Sequence, residues 1–326
     1  EFIKFILGEK GYAFPSISYN PVFSDTTNYV DINFRVDPKK KSYVRRINIK
    51  GNTKTNDEVY RRELRQFESS LYSENKIDRS KIRLQRLKFI NTVDVKKNIV
   101  DPDSGLIDID FILDESRSGE FKVGAGYSDS SGAIFNIKVQ QDNFLGKGNN
   151  VSLELEKSSY KKLVRYSNTD PYHSRDGMSK TTSLIYSETD VSSTSTASYL
   201  SDTIAYGVTY SVPISEARSY GYGGDIVLTE YTTTIGSPSN VTDFINKHGT
   251  THIGFLLNAN LTEDTRDRTV YATRGKRQSL STNFYIPPDF DYSYASLTFR
   301  GEYNTPYKLN FLNLFDWDTS FQIKPQ

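Results

Sequence analysis

Few residues in this chain have types and spacings that could do chemistry. His248 and His252 stand four apart, so on one helical face they would present half of a metal site. No third ligand lies near them in sequence, and two histidines in a loop or at a strand end account for the same spacing. Gly146-Lys147-Gly148 superficially suggests phosphate binding. It lacks the upstream glycine and the Ser/Thr of a P-loop, and a hairpin turn explains it better. Asp264, Arg266, Asp267, Arg268 and Arg274 concentrate charge over eleven positions. A buried or lumenal ion-pair network is the preferred reading over a catalytic site. His173, His248 and His252 are the three histidines, and no recognisable nucleophile motif accompanies them, which argues against a hydrolase. No motif requires a nucleotide, a metal or another cofactor.

Composition narrows the classes further. Lys plus Arg number 41 against 40 Asp plus Glu, so no excess of positive charge points to nucleic acid or to a polybasic membrane surface. Cysteine is absent, which removes disulfides, thiolate metal sites and cysteine nucleophiles, and is compatible with an oxidising compartment. No segment approaches the roughly 18 uninterrupted apolar residues of a membrane-spanning helix. The 23 tyrosines and 19 phenylalanines against one tryptophan give an aromatic-rich chain of low hydropathy, as in a barrel with a polar lumen.

The elements fall into two periods. Gly11 to Asp37 lies over Lys88 to Asp114 at an offset of about 77 residues, each copy reading as a helix end, a strand, a turn and a strand. Between the copies, Tyr43 to Lys50 reads as a strand with Ile47 and Ile49 on one face and Val44 off the alternation. Thr55 and Asp57 are candidate caps for a helix running to about Phe67, with Val59, Leu64 and Phe67 near helical spacing. Asp78 is a candidate cap for a second helix whose apolar side holds Ile82, Leu84, Leu87 and Phe89. The unit is a β-α-α-β-β module of the α+β class.

After Gly119 the helical period vanishes. Phe121, Val123, Ala125 and Tyr127 alternate with Lys122, Gly124, Gly126 and Ser128. Val151, Leu153 and Leu155 alternate with Ser152, Glu154 and Glu156, a face that carries two carboxylates and cannot be a dry core. Counting such segments predicts about eleven antiparallel strands. Short turns such as Asp142 to Gly148 alternate with long polar loops at Ser187 to Asp202 and Ile235 to Gly249.

Val139-Gln140-Gln141-Asp142-Asn143-Phe144-Leu145-Gly146-Lys147-Gly148 closely resembles the first barrel hairpin of the BamA family of outer-membrane β-barrel assembly factors. Phe121 to Tyr127, Asn168-Thr169-Asp170-Pro171-Tyr172 and Leu87 to Val95 support the resemblance. Asp264-Thr265-Arg266-Asp267 with Thr273-Arg274-Gly275 resembles a strand motif of the wider superfamily. The resemblance implies that residues 1–41 end one POTRA (polypeptide-transport-associated) module, 42–117 form a complete membrane-proximal one, and 118–326 begin an incomplete transmembrane β-barrel. The superfamily's Val-Arg-Gly-Phe/Tyr loop is not found, since Phe299-Arg300-Gly301-Glu302 falls within an expected strand. It further implies a non-enzymatic insertase of the bacterial outer membrane with its modules in the periplasm. Phe121, Lys122, Val123, Gly124, Ala125, Gly126 and Tyr127 would form a lateral gate, and Glu68, at the end of the first module helix, would contact a partner lipoprotein. Implied partners are unfolded outer-membrane proteins, assembly-complex lipoproteins, outer-membrane lipid and, as an additional candidate, a periplasmic chaperone. A polypeptide-exporting pore of the two-partner type is the alternative.

Overall fold

The computed structural model describes residues 2–23, 30–101, 103–129, 132–190, 198–215, 217–266, 272–288, 290–311 and 315–323. These divide into two compact units, Glu1–Ser118 together with Asp142–Gly148, and Gly119–Gln141 together with Asn149–Gln326.

The first unit opens with helix α1 (Phe2–Glu9) and an antiparallel hairpin, β1 (Ser16–Phe23) with β2 (Val30–Asp37). The module follows as β3 (Tyr43–Lys50), α2 (Asp57–Arg61), α3 (Glu74–Gln85), β4 (Ile90–Asp101) and β5 (Leu106–Glu115). Its sheet has the order β3-β5-β4, with β3 parallel and β4 antiparallel to the central β5. Ile107, Ile109 and Phe111 of β5 are buried against Tyr60, Tyr72, Ile77 and Leu84. Each such side chain contributes roughly 1.5–3 kcal/mol by leaving water. Val44 breaks the alternation because the β3–β5 register shifts between Val44 and Arg46, a bulge that buries Val44 as well as Ile47.

The helices differ from expectation at both ends and in their buried residues. Helix α2 ends at Arg61 rather than near Phe67, because the chain tightens into i→i−3 bonds from Glu63 to Tyr60 and from Leu64 to Arg61. The buried Gln66 amide then ties the segment to Ser70, Leu71 and Ser73, which turns Phe67 out to solvent. Neither Thr55 nor Asp57 caps α2, whose N-cap is Asn56. Helix α3 starts at Ser73, whose hydroxyl accepts from the Lys76 amide at 3.3 Å. Asp78 lies inside that helix, where burial and the Glu74 carboxylate push its pKa up. Ile77 takes the buried position expected of Ile82, which is exposed.

A carboxylate closes the module. Glu115 Oε2 accepts from the amides of Thr53 (3.1 Å) and Lys54 (2.9 Å) and from the Thr53 hydroxyl (3.0 Å). Its Oε1 accepts from the Thr55 amide (3.1 Å) and the Tyr60 hydroxyl (2.7 Å). Burial opposes ionisation, but these hydrogen bonds outweigh it and hold the Glu115 pKa down to about 2. Burial and the same carboxylate push the Tyr60 phenol up.

The second unit holds an antiparallel sheet of eleven strands in sequential order from β6 to β16, as the periodicity predicted. They are β6 (Gly119–Ser128), β7 (Gly132–Phe144), β8 (Asn149–Lys157), β9 (Lys161–Asp170), β10 (Ser179–Asp190), β11 (Tyr199–Pro213), β12 (Arg218–Thr233), β13 (Thr251–Asp264), β14 (Gly275–Ile286), β15 (Tyr294–Phe311) and β16 (Phe315–Ile323). Even the shortest, at 9 residues, can cross a bilayer when tilted. Leu153, Tyr166, Leu184, Tyr206, Ile226, Phe255 and Ile286 stand directly opposite one another across seven strands. All but Ile286 are exposed, forming the apolar band of a barrel wall. The other face carries Ser152, Ser167, Ser183, Gly207 and Asp225 in one row, with Glu154 3.7 Å from Arg165.

The loss of helical period after Gly119 misses one element. Helix α4 (Ser239–His248) lies between β12 and β13, where Val241, Phe244 and Ile245 are spaced at helical intervals within a polar loop. Connection lengths alternate only in part, since Ser158-Ser159-Tyr160 joins β8 to β9 on the side that also bears the long loops.

Two outcomes follow from these arrangements. In the full-length protein, Ile226→Arg in the apolar band is expected to destabilise the barrel by about 2–4 kcal/mol, read by urea unfolding in vesicles, whereas Ser183→Arg on the polar face changes it little. Because the folded Glu115 pKa lies below its ordinary 4.5, its contribution is whole above pH 4.5 and is lost as pH falls toward 2. Glu115→Gln should cost the module about 2 kcal/mol at pH 7 and flatten that acid dependence, measured by hydrogen exchange of module amides.

Candidate functional site

The expected gate residues, Phe121 to Tyr127, all lie on β6. That strand is hydrogen-bonded only to β7, in a register running from Gly119 opposite Gln141 to Ser128 opposite Gly132. Its other edge has no partner strand among the described residues. Both faces are open, with Phe121 68% and Tyr127 77% exposed. A Cβ at Gly126 would meet nothing within 4 Å, and one at Gly124 would make only ordinary contact with Asn136. By contrast, a Cβ at Gly207 would drive into the Asp225 carboxylate. Close packing therefore accounts for glycine at 207 but not at 124 or 126.

The motif residues Asp142, Asn143, Phe144 and Gly146 form the end of β7 and the turn after it, within the same compact unit as the module. Asn143 is buried, and its Oδ1 accepts from the Gly148 amide at 2.8 Å while its Nδ2 donates to the Thr55 hydroxyl at 2.7 Å. Gly146 has φ 73°, and a side chain there would collide with the Lys54 carbonyl. Its own carbonyl accepts from the Asn56 amide at 3.0 Å. The Asp142 amide donates to the Ser118 carbonyl at 2.8 Å, and its carboxylate lies 3.6 Å from Lys88. Phe144 stays exposed.

Glu68 lies beyond the end of the shortened α2, not at its last turn as expected. Its Oε1 accepts from the Ile47 amide at 2.8 Å and lies 3.6 Å from Arg61, so a half-exposed carboxylate is fixed beside the bulged strand β3.

Asp264, Arg266 and Gly275 come together. Arg266 makes two bonds to Asp264, at 2.9 and 2.7 Å, and reaches Glu302 on β15 at 3.4 Å. Gly275, at φ 98°, opens β14 where a Cβ would strike the Thr265 carbonyl. Arg274 immediately precedes it, and Asp267 and Arg268 lie outside the described residues. The arrangement is an ion-pair network at strand ends. Sequence reasoning missed Glu302, which becomes visible only once β15 is paired beside β14.

The histidines are also used structurally. Buried His252 has its Nδ1 2.9 Å from the Tyr292 hydroxyl and its Nε2 2.9 Å from the Gly249 carbonyl. Since a carbonyl only accepts, Nε2 is the donor to Gly249. Phe244 stacks on His252, and His248 packs against Phe244 and Tyr292. Among the described residues, no group of three or more His, Cys, Asp or Glu is placed to hold a metal ion.

Comparison with known proteins accords with this architecture. Residues 143–323 match the Omp85 superfamily domain, and residues 42–116 match the POTRA family, described as a surface antigen variable number repeat. The outer membrane protein assembly factor BamA of Neisseria meningitidis serogroup B is 33% identical over 247 residues, which are 75% of this chain and 31% of that protein. The crystal structure of BamA from Haemophilus ducreyi lacking POTRA domains 1-3 aligns with a TM-score of 0.79 at 27% identity, covering 94% of this chain and 59% of that one. CdiB from Acinetobacter baumannii, at 14% identity and a TM-score of 0.51 over 97% of this chain and 58% of its own, is similar in fold alone. The chain thus spans about a third of the curated relative's length. With a POTRA module followed by the antiparallel strands of an outer-membrane barrel, this chain belongs to the Omp85 superfamily.

Proposed function

We propose that this chain is the membrane-proximal part of a non-enzymatic factor that assembles β-barrel proteins into the bacterial outer membrane. The observation that carries the reading is β6, an edge strand open on both faces, with glycines at 124 and 126 that packing does not require. An unpaired backbone group in hydrocarbon costs several kcal/mol, so such an edge and an incoming client strand each gain by pairing. Interior glycines weaken the strand they sit in, which favours release once the client closes on itself.

In this reading the barrel lies in the outer membrane, and residues 42–117 form the complete membrane-proximal periplasmic module, which guides clients toward the edge. Residues 1–41 end a preceding module. Fixed beside β3, the Glu68 carboxylate offers a preoriented contact for a partner lipoprotein. Unfolded outer-membrane proteins are the clients, and a periplasmic chaperone is a candidate for their delivery. The similarity to assembly factors at 33% and 27% identity supports this role over a secretion pore.

The full-length parent supplies the test. A cysteine at Gly124, cross-linked to the strand that closes the barrel, is expected to stop client insertion, and reduction of the link to restore it. Full activity in the locked state would sink the gate. Depleting the parent is expected to lower several unrelated outer-membrane barrels together; loss of only one exported polypeptide would instead establish the pore.

A further inference from the structure

The 142–148 turn is gripped by the module more thoroughly than a surface hairpin requires. Three layers of contacts lead outward from β5. Glu115 first gathers three successive backbone amides and two hydroxyls, fixing loop 53–55. That loop then turns its remaining groups outward, where the buried Thr55 hydroxyl accepts from Asn143 and the Asn56 amide donates to Gly146. The turn itself is shaped to fit, with Asn143 at φ 62° closing onto the Gly148 amide, while Gly146 and Gly148 leave no room for side chains against Lys54, Val59 and Arg62.

We infer that loop 53–56 is a socket for this turn, and that Glu115, Thr55 and Asn143 are positioning residues for client assembly. The inference rests on the proposed assembly reading. The turn is continuous with β7, and β7 is the one strand that holds β6 in register. If β6 is to exchange partners along its open edge, its permanent neighbour must not slide. The buried Asn143 amide supplies that restraint, since withdrawing it from Thr55 leaves a donor unsatisfied, and Glu115 keeps Thr55 where the amide can reach it.

The test uses the full-length protein in phospholipid vesicles, with two readouts. Hydrogen exchange follows the Asn56 amide and the turn amides 145–148; the folding rate of an added, unfolded outer-membrane barrel follows function. Asn143→Ala and Thr55→Val are each expected to raise that exchange about tenfold and to slow client folding several-fold, as loss of one buried hydrogen bond predicts. The double variant should be no worse than either single one, because both remove the same bond. Thr55→Ser, which keeps the hydroxyl, and Lys147→Ala, at the exposed turn tip, should behave as wild type.

Unchanged exchange in Asn143→Ala and Thr55→Val would overturn the socket. A loosened turn with wild-type client folding would overturn the positioning role. Additive losses in the double variant would equally refute a role through this one bond. None of these results touches the gate lock or the depletion experiment, so the assembly reading stands or falls separately.

Discussion

A backbone amide or carbonyl inside hydrocarbon must find its partner within the protein, and the arrangement of the strand sheet follows from that requirement. From β7 to β15 every strand is flanked on both sides. Register is held by the side chains. In the row from Leu153 to Ile286 each apolar residue opposes another, and a slip of one position would turn the band onto the face that carries Asp225 and Glu154. The cost of burying a bare carboxylate in lipid makes that slip prohibitive. The outer edges of β6 and β16 are where the rule is left unmet by this chain's described strands.

The two units are stabilised by opposite means. Nearly all buried apolar side chains belong to the module, where fifteen residues form one cluster. Among the described residues of the second unit only Leu163 on β9 and Ala272 in the β13–β14 connection join them as buried hydrophobics. The sheet therefore has no dry core of its own and draws its apolar burial from lipid, while its polar face is organised by contacts such as Ser152 with Ser167 and Asn258 with Asp225. The module inverts this, with apolar packing within and a carboxylate, Glu115, organising its surface loop.

Much of this was legible in the sequence, for identifiable reasons. Period-two alternation is a local property, so strand count and face assignment survived folding, down to which residues of β6 share a side. The module's order of elements was legible for the same reason. Cap assignment failed at Thr55, Asp57 and Asp78 because local spacing does not show which of several candidates the folded chain uses, Asn56 and Ser73 being the caps. Thr55 is taken by Asn143, 88 residues away, and Glu9 reaches across 64 residues to bond the Ser73 hydroxyl at the true start of α3. Helix α4 was hidden because its apolar residues are few and sit in a loop of otherwise polar composition. Glu115 and Glu302 were missed because their partners are brought near only by strand pairing. Asp142, Asn143 and Gly146 could be recognised as a motif but not explained, since the explanation lies on loop 53–56.

The sequence separations within the module also set an order in time. Strand β3 emerges early and is bonded first at Val44, by Ser69 and Ser70, but its partner strand β5 comes some 60 residues later, so its bulged pairing is incomplete until most of the module has been made. Loop 53–55 waits for the same strand, because Glu115 lies at its far end. Asn143 comes later still. A chain delivered from its N-terminus can thus complete the module before the first barrel turn arrives, and the turn meets a finished surface rather than helping to build one.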